Sequence, residues 1–198
     1  MKRGRRKPPA ERRRQILDVA TRLLDQHGVD SVQITGVARA AGVSRPLVYR
    51  LFPSRHALIV ALLEDFVAAL DARFHRAVVR GLTGSLPEIV SAFVEACCQT
   101  IDERGAGAWR LLDARGVDPA LTRAGHRILL GLLAPWHPRI TELTGLSPKR
   151  ANALAMVVVA AGRAMLEGWL DGTLGRKEAI RATTRVVSAL LGEFARLG

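Results

Sequence analysis

One short stretch carries the side chains that bear on this chain's chemistry. Behind Gly42-Val43-Ser44 come Arg45, Pro46, Leu47, Tyr49 and Arg50, closed by Phe52. The polar members donate hydrogen bonds, and the others offer apolar contact. Nowhere in the sequence do a nucleophile, a base and an orienting group stand together. There is no glycine-rich phosphate loop and no His/Cys/carboxylate spacing for a metal. The chemistry is recognition rather than turnover.

The elements that must hold this stretch read directly. The first motif helix is expected from about Ile34 to Ala41, and Ala38 and Ala41 are small enough for another helix to lie close. Gly42 stands where that helix stops, at a position that favours a left-handed backbone. Val43 anchors the turn, Ser44 is an N-cap, and Pro46 falls in the first turn of a second helix. Together these features describe a helix-turn-helix, whose second helix enters a DNA major groove.

Charge points the same way. The net is +12 over 198 residues, but residues 1–60 hold +9 of it and residues 61–198 only +3. A basic third that also contains the helix-turn-helix is the footprint of a polyanionic partner. The two cysteines, Cys97 and Cys98, are adjacent. Such neighbours rarely bridge within a helix, so no disulfide framework is implied. No apolar stretch follows the basic N-terminus, and the apolar run Met156–Ala161 is too short to span a bilayer. A cytoplasmic protein without a membrane partner is expected.

In order, residues 1–9 form a basic tail without periodicity. Glu11 to His27 predicts a helix with Ile16, Leu17, Ala20, Leu23 and Leu24 on one stripe. The motif helices follow, to residue 54. Pro53 ends the second of them, and Ser54 caps a long helix over Arg55–Val79 striped by Leu58, Leu62, Phe66 and Leu70. Further helices are expected behind Ser85-Leu86-Pro87-Glu88, at Ala108–Arg115, from Asp118-Pro119 to about Ala134, over 148–171 and over 176–197. No stretch alternates with period two. The fold class is all-α with about nine helices. The expected division is a tail over 1–9, a helix-turn-helix domain over 10–54 and a helical body over 55–198.

Val37-Ala38, Ala41-Gly42-Val43-Ser44, Tyr49, Phe52 and Ser54-Arg55-x-x-Leu58 occupy the places of a known pattern. The sequence here resembles the tetracycline-repressor (TetR) family of transcriptional regulators, closely over about residues 12–60. The resemblance implies a regulator that binds a palindromic operator as a homodimer and is released by a small-molecule inducer of unknown identity. It requires no cofactor. Tyr49 and Arg55 should meet backbone phosphates, Arg45 and Arg50 guanine edges, and Pro46 and Leu47 thymine methyls. Gln33, Thr35 and Ser44 complete the expected DNA contacts. The sequence departs from the family pattern at Gln33, Thr35, Gly36 and Leu51.

For the body, the resemblance implies a ligand pocket and a four-helix dimer interface. Phe74, Phe93, Cys97, Trp109, Leu112, Leu129, Trp136 and Met156 are the candidate pocket residues. Ala155, Val158, Gly162 and Leu166 on one helix, with Val187, Leu190 and Phe194 on the next, are the candidate interface. Activation in place of repression is an alternative reading on the same fold. Two others are redox sensing through Cys97 and Cys98, and an enzyme whose basic end steers an anionic substrate.

Overall fold

The computed structural model describes residues 8–79, 85–112, 118–136, 138, 141–142 and 145–196. Nine α-helices have defined bounds: α1 Pro9–His27, α2 Ile34–Ala40, α3 Arg45–Leu51, α4 Arg55–Val79, α5 Leu86–Arg104, α6 Gly107–Leu111, α7 Pro119–Leu133, α8 Pro148–Leu170 and α9 Arg176–Arg196. Single 3-10 turns lie at Val29–Ser31 and Ala134–Trp136. No strand occurs among the described residues. The basic tail over residues 1–7 and the loop at 81–84 lie outside them. The helix expected over Ala108–Arg115 is shorter, at Gly107–Leu111, and residues 113–117 are likewise outside.

The chain forms two compact units. The first takes the described residues up to Phe66 together with Arg104–His126, and the second takes Val67–Glu103 and Arg127 onward. The first unit has its core where the α1 stripe meets the helix-turn-helix. Ile16, Leu17, Ala20 and Leu24 of α1 are buried, as are Val37 and Ala38 of α2, Val48 of α3 and Phe52. Leu58, Ile59, Leu62, Leu63 and Phe66 of α4 complete this core. Each buried Val, Leu, Ile or Phe among them contributes roughly 1.5–3 kcal/mol on leaving water.

Polar contacts close the first unit between helices. Gln15 donates to the Ala41 carbonyl at 2.7 Å and so satisfies an orphan carbonyl at the end of α2. Asp65 of α4 receives Arg14 of α1 at 2.6 Å and also pairs with Arg104. The Trp109 ring lies 6.5 Å from that of Phe66.

In the second unit α8 and α9 pack along each other. Gly162 makes this close: a Cβ there would touch the Thr183 methyl at 3.5 Å. Ala151, Leu154 and Leu166 of α8 are buried, as are Ala179, Thr183, Val187 and Leu191 of α9. Phe74 and Phe93 meet edge-on at 5.2 Å. Arg73 pairs with Glu103, and Arg176 with Asp102 at 3.2 Å.

One sequence expectation needs correcting. The run Met156–Ala161 is short, but the helix containing it is not. Pro148–Leu170 is long and apolar enough, by length and composition, to cross a membrane. Alanine, valine and leucine on every face of α8 raise its mean hydropathy, and much of that surface is not covered by its own chain.

Candidate nucleic-acid interface

The turn between α2 and α3 sets the interface. Gly42 sits at φ +62°. Its N–H reaches the Arg39 carbonyl at 3.1 Å, and the Val43 N–H reaches the Ala38 carbonyl at 3.0 Å. This bond pair is the Schellman closure of a helix, and it needs the left-handed residue that glycine supplies without a Cβ clash. Ser44 then takes extended dihedrals at the N-cap of α3, and Pro46 occupies the first turn.

The Ser44 hydroxyl makes no cap bond. The capping expected of this residue is thus realised by backbone shape alone, and the exposed hydroxyl stays available to a partner. At the next helix the expectation holds, since the Ser54 hydroxyl accepts the Ala57 N–H at 3.0 Å.

α3 divides cleanly. Val48 is fully buried and Phe52 is 2% exposed, which fixes one face against the core. Arg45, Pro46, Tyr49 and Arg50 are exposed on the other, with Leu47 half-buried between them. Tyr49 is the extreme case, 46% exposed although it is a large aromatic. A solvent-facing phenol on a seven-residue helix gains little from folding. Gln33 and Thr35 are exposed at the start of α2. The structure thus brings the expected contacts of α2 and α3 into one small helix-turn-helix.

Arg55 is placed differently. Its Nε donates to the Val32 carbonyl at 2.9 Å and an Nη to the Val29 carbonyl at 2.7 Å, with the Asp30 carboxylate 3.6 Å away. The guanidinium ties the start of α4 to the turn before α2. Two further arginines of the first unit, Arg13 and Arg39, were not among the expected contacts. Both are exposed, and Arg13 lies over the Phe52 ring at 5.2 Å. Reading Arg12-Arg13-Arg14 as a helix face would have separated them.

The body residues separate between the two units. Phe74, Phe93, Cys97, Leu129 and Met156 belong to the second, whereas Trp109 and Leu112 belong to the first. The Trp136 side chain is outside the described structure. Cys97 and Cys98 are buried. Burial pushes the Cys97 thiol well up, aided by its neighbour Cys98. Burial also raises Cys98, against the opposing pull of the Arg176 guanidinium. Among the interface candidates, Leu166 and Val187 are buried within their own chain and Gly162 faces α9. Leu190 is half-buried, and the side chains of Ala155, Val158 and Phe194 lie outside the described structure.

A basic helix-turn-helix with its polar face open defines the class: a DNA-binding domain of the helix-turn-helix type. Residues 16–62, the stretch that holds the helix-turn-helix, match the family described as bacterial regulatory proteins, tetR family. The chain is 35% identical over 79 residues to the HTH-type transcriptional regulator EthR of Mycolicibacterium smegmatis, covering 38% of this chain and 36% of that one. It is 37% identical over 73 residues to the HTH-type transcriptional repressor KstR of Mycobacterium tuberculosis, covering 37% and 33%. These matches span about a third of each relative's length. A tetR-family regulator from Rhodococcus sp. shares the fold across 92% of this chain and 99% of its own, with a TM-score of 0.73 and 22% identity. EthR and KstR are named as a transcriptional regulator and a transcriptional repressor, and the Rhodococcus structure shares the fold.

Proposed function

We propose that this chain is a DNA-binding transcriptional regulator that acts as a homodimer on a near-palindromic operator, represses there, and is released by a small-molecule inducer. The observation that carries the reading is the division of α3. Val48 and Phe52 fix one face in the core, while Arg45, Pro46, Tyr49 and Arg50 are left to solvent. Arg45 and Arg50 have the bidentate fork that fits guanine O6 and N7. Tyr49, Ser44, Gln33 and Thr35 supply donors for phosphates. Repression is suggested by one relative, the transcriptional repressor KstR of Mycobacterium tuberculosis.

The dimer is supported by the apolar surface that α8 and α9 leave open. Val157 is 46% exposed and Val186 39% exposed, and Ala153, Ala160 and Ala164 are exposed on α8 beside Val157. A second copy covering this surface presents a second recognition helix, with half-sites about one helical turn apart. The inducer site belongs to the second unit, near the Phe74–Phe93 pair. Its effect is a population shift carried by α4, which both units share. An operator role places the protein in the cytoplasm.

Selection from random duplex DNA with the purified full chain tests this reading. The expected product is an enriched, near-palindromic sequence whose affinity falls steeply with salt. Absence of any enriched sequence would remove the operator reading.

A further inference from the structure

The three consecutive arginines near the start of α1 go to three different destinations. Arg12 donates to the Gln15 side chain at 3.1 Å. Arg14 pairs with Asp18 at 2.9 Å and with Asp65 at 2.6 Å, so its charge is spent inside the first unit. Arg13 does neither. Its guanidinium carbon lies 5.2 Å from the centroid of the Phe52 ring, the side chain is exposed, and it has no ion-pair partner among the described residues.

Phe52 is the residue at which α3 ends. The ring is almost wholly buried, so the guanidinium stacks on an aromatic face that is itself held in the core. A stacked guanidinium uses its face for the ring and keeps the N–H groups along its edges free. It also has less rotamer freedom left to lose when those groups meet an anion. A fixed, unpaired cation therefore stands at the C-terminal end of the helix whose exposed face carries Tyr49 and Arg50.

We propose that Arg13 is a DNA-contacting residue in its own right, a backbone-phosphate contact preorganised by Phe52 at the end of the recognition helix. This rests on the DNA-binding reading given above. The contact is to the sugar–phosphate chain and not to a base, because Arg13 belongs to α1 and not to the helix that enters the groove. It positions the domain without reading sequence.

The test uses full-length wild type, Arg13→Met and Arg13→Lys, titrated with a selected operator duplex and with random-sequence duplex DNA over a range of salt. Methionine keeps an apolar cover over Phe52 and removes the charge. Thermal unfolding of each protein reports whether the first unit is intact. For Arg13→Met the expected result is an unchanged unfolding midpoint with weaker binding to both duplexes. The slope of log K against log salt should shrink by about 0.9 per protomer, or about 1.8 for a dimer. Arg13→Lys should keep most of that slope. Wild-type affinity and slope in Arg13→Met would overturn the proposal, as would an equal loss in Arg13→Lys, which marks a packing role. Wild type that shows no salt-dependent DNA binding defeats the DNA-binding reading itself and this contact with it; a binding wild type with an indifferent Arg13→Met defeats the contact alone.

Discussion

The Asp25 carboxylate, in the last turns of α1, accepts the backbone N–H of Ala106 at 2.8 Å, and the same oxygen accepts that of Gly107 at 3.2 Å. Asp25 thereby caps the start of α6 from another helix, where Ala106 has no side chain able to do so. The approach is close. Gly105 sits at φ +80°, and a Cβ there would lie 2.4 Å from the Asp25 carboxyl carbon.

Gly105→Ala is therefore expected to destabilise the protein by about 2 kcal/mol or more. The left-handed backbone alone costs an L-residue roughly 1–2 kcal/mol, and the methyl also meets the carboxylate. Urea unfolding measures the loss. In an Asp25→Ala background the steric part should vanish, so the double-mutant cycle should show coupling. Strictly additive losses would mean that the two groups do not compete for the same space.

Arg55 offers a second stability test. Charge-assisted bonds to the carbonyls of Val29 and Val32 contribute roughly 1.5–3 kcal/mol each at most. Arg55→Ala should lower the unfolding free energy by an amount in that range. Arg55→Lys should fall between, because an ammonium cannot span both carbonyls as the fork does. Equal stability in all three proteins would show that the clamp contributes nothing. DNA affinity of the Ala variant, measured well below its unfolding midpoint, then isolates any phosphate contact.

Much of this architecture was legible beforehand. The helix over Arg55–Val79 ends where its stripe and caps put it, and Gly42 has the left-handed backbone its place requires. Local rules suffice there because each signal acts within one or two turns of chain. What the sequence hid is nonlocal. Nothing near Asp25 announces that it caps a helix 81 residues away. Nothing near Arg55 distinguishes a guanidinium bound to carbonyls from one waiting for phosphate. Trp109 and Leu112 read as body residues by position, yet they join the first unit because the chain returns to it over Arg104–His126.

At the interface, two substitutions should fail in different ways. Tyr49→Phe keeps the ring and removes the donor, so it should weaken binding to all duplexes alike. Arg50→Ala should cost about 1–3 kcal/mol and relax preference at one base position. Competition between the selected operator and single-base variants separates the outcomes. A uniform loss in Arg50→Ala would reassign it to the backbone.

α8 supplies a contrast between two of its own residues. Val157 is open and Leu166 is 1% exposed. Val157→Glu should leave the fold intact and, in sedimentation, shift the protein toward monomer, because a charge enters the surface that the proposed dimer would bury. Leu166→Ala should instead lose about 2–5 kcal/mol of stability through the cavity it creates. A dimer unaffected by Val157→Glu would move the interface off this face.

The cysteines provide the pH test. Burial raises the Cys97 thiol well above its ordinary value of 9.0, and Cys98 is raised as well. The folded chain therefore holds protons that the unfolded chain releases. Stability from these groups is complete below about pH 9 and declines as pH rises toward the raised native values. Replacing both residues by alanine should flatten that alkaline decline relative to wild type. Thiol-specific labelling at neutral pH should be slow in the native protein and rapid in urea, since the reactive thiolate forms only after opening. Fast labelling of the native state, with loss of DNA binding in peroxide, would instead favour redox sensing.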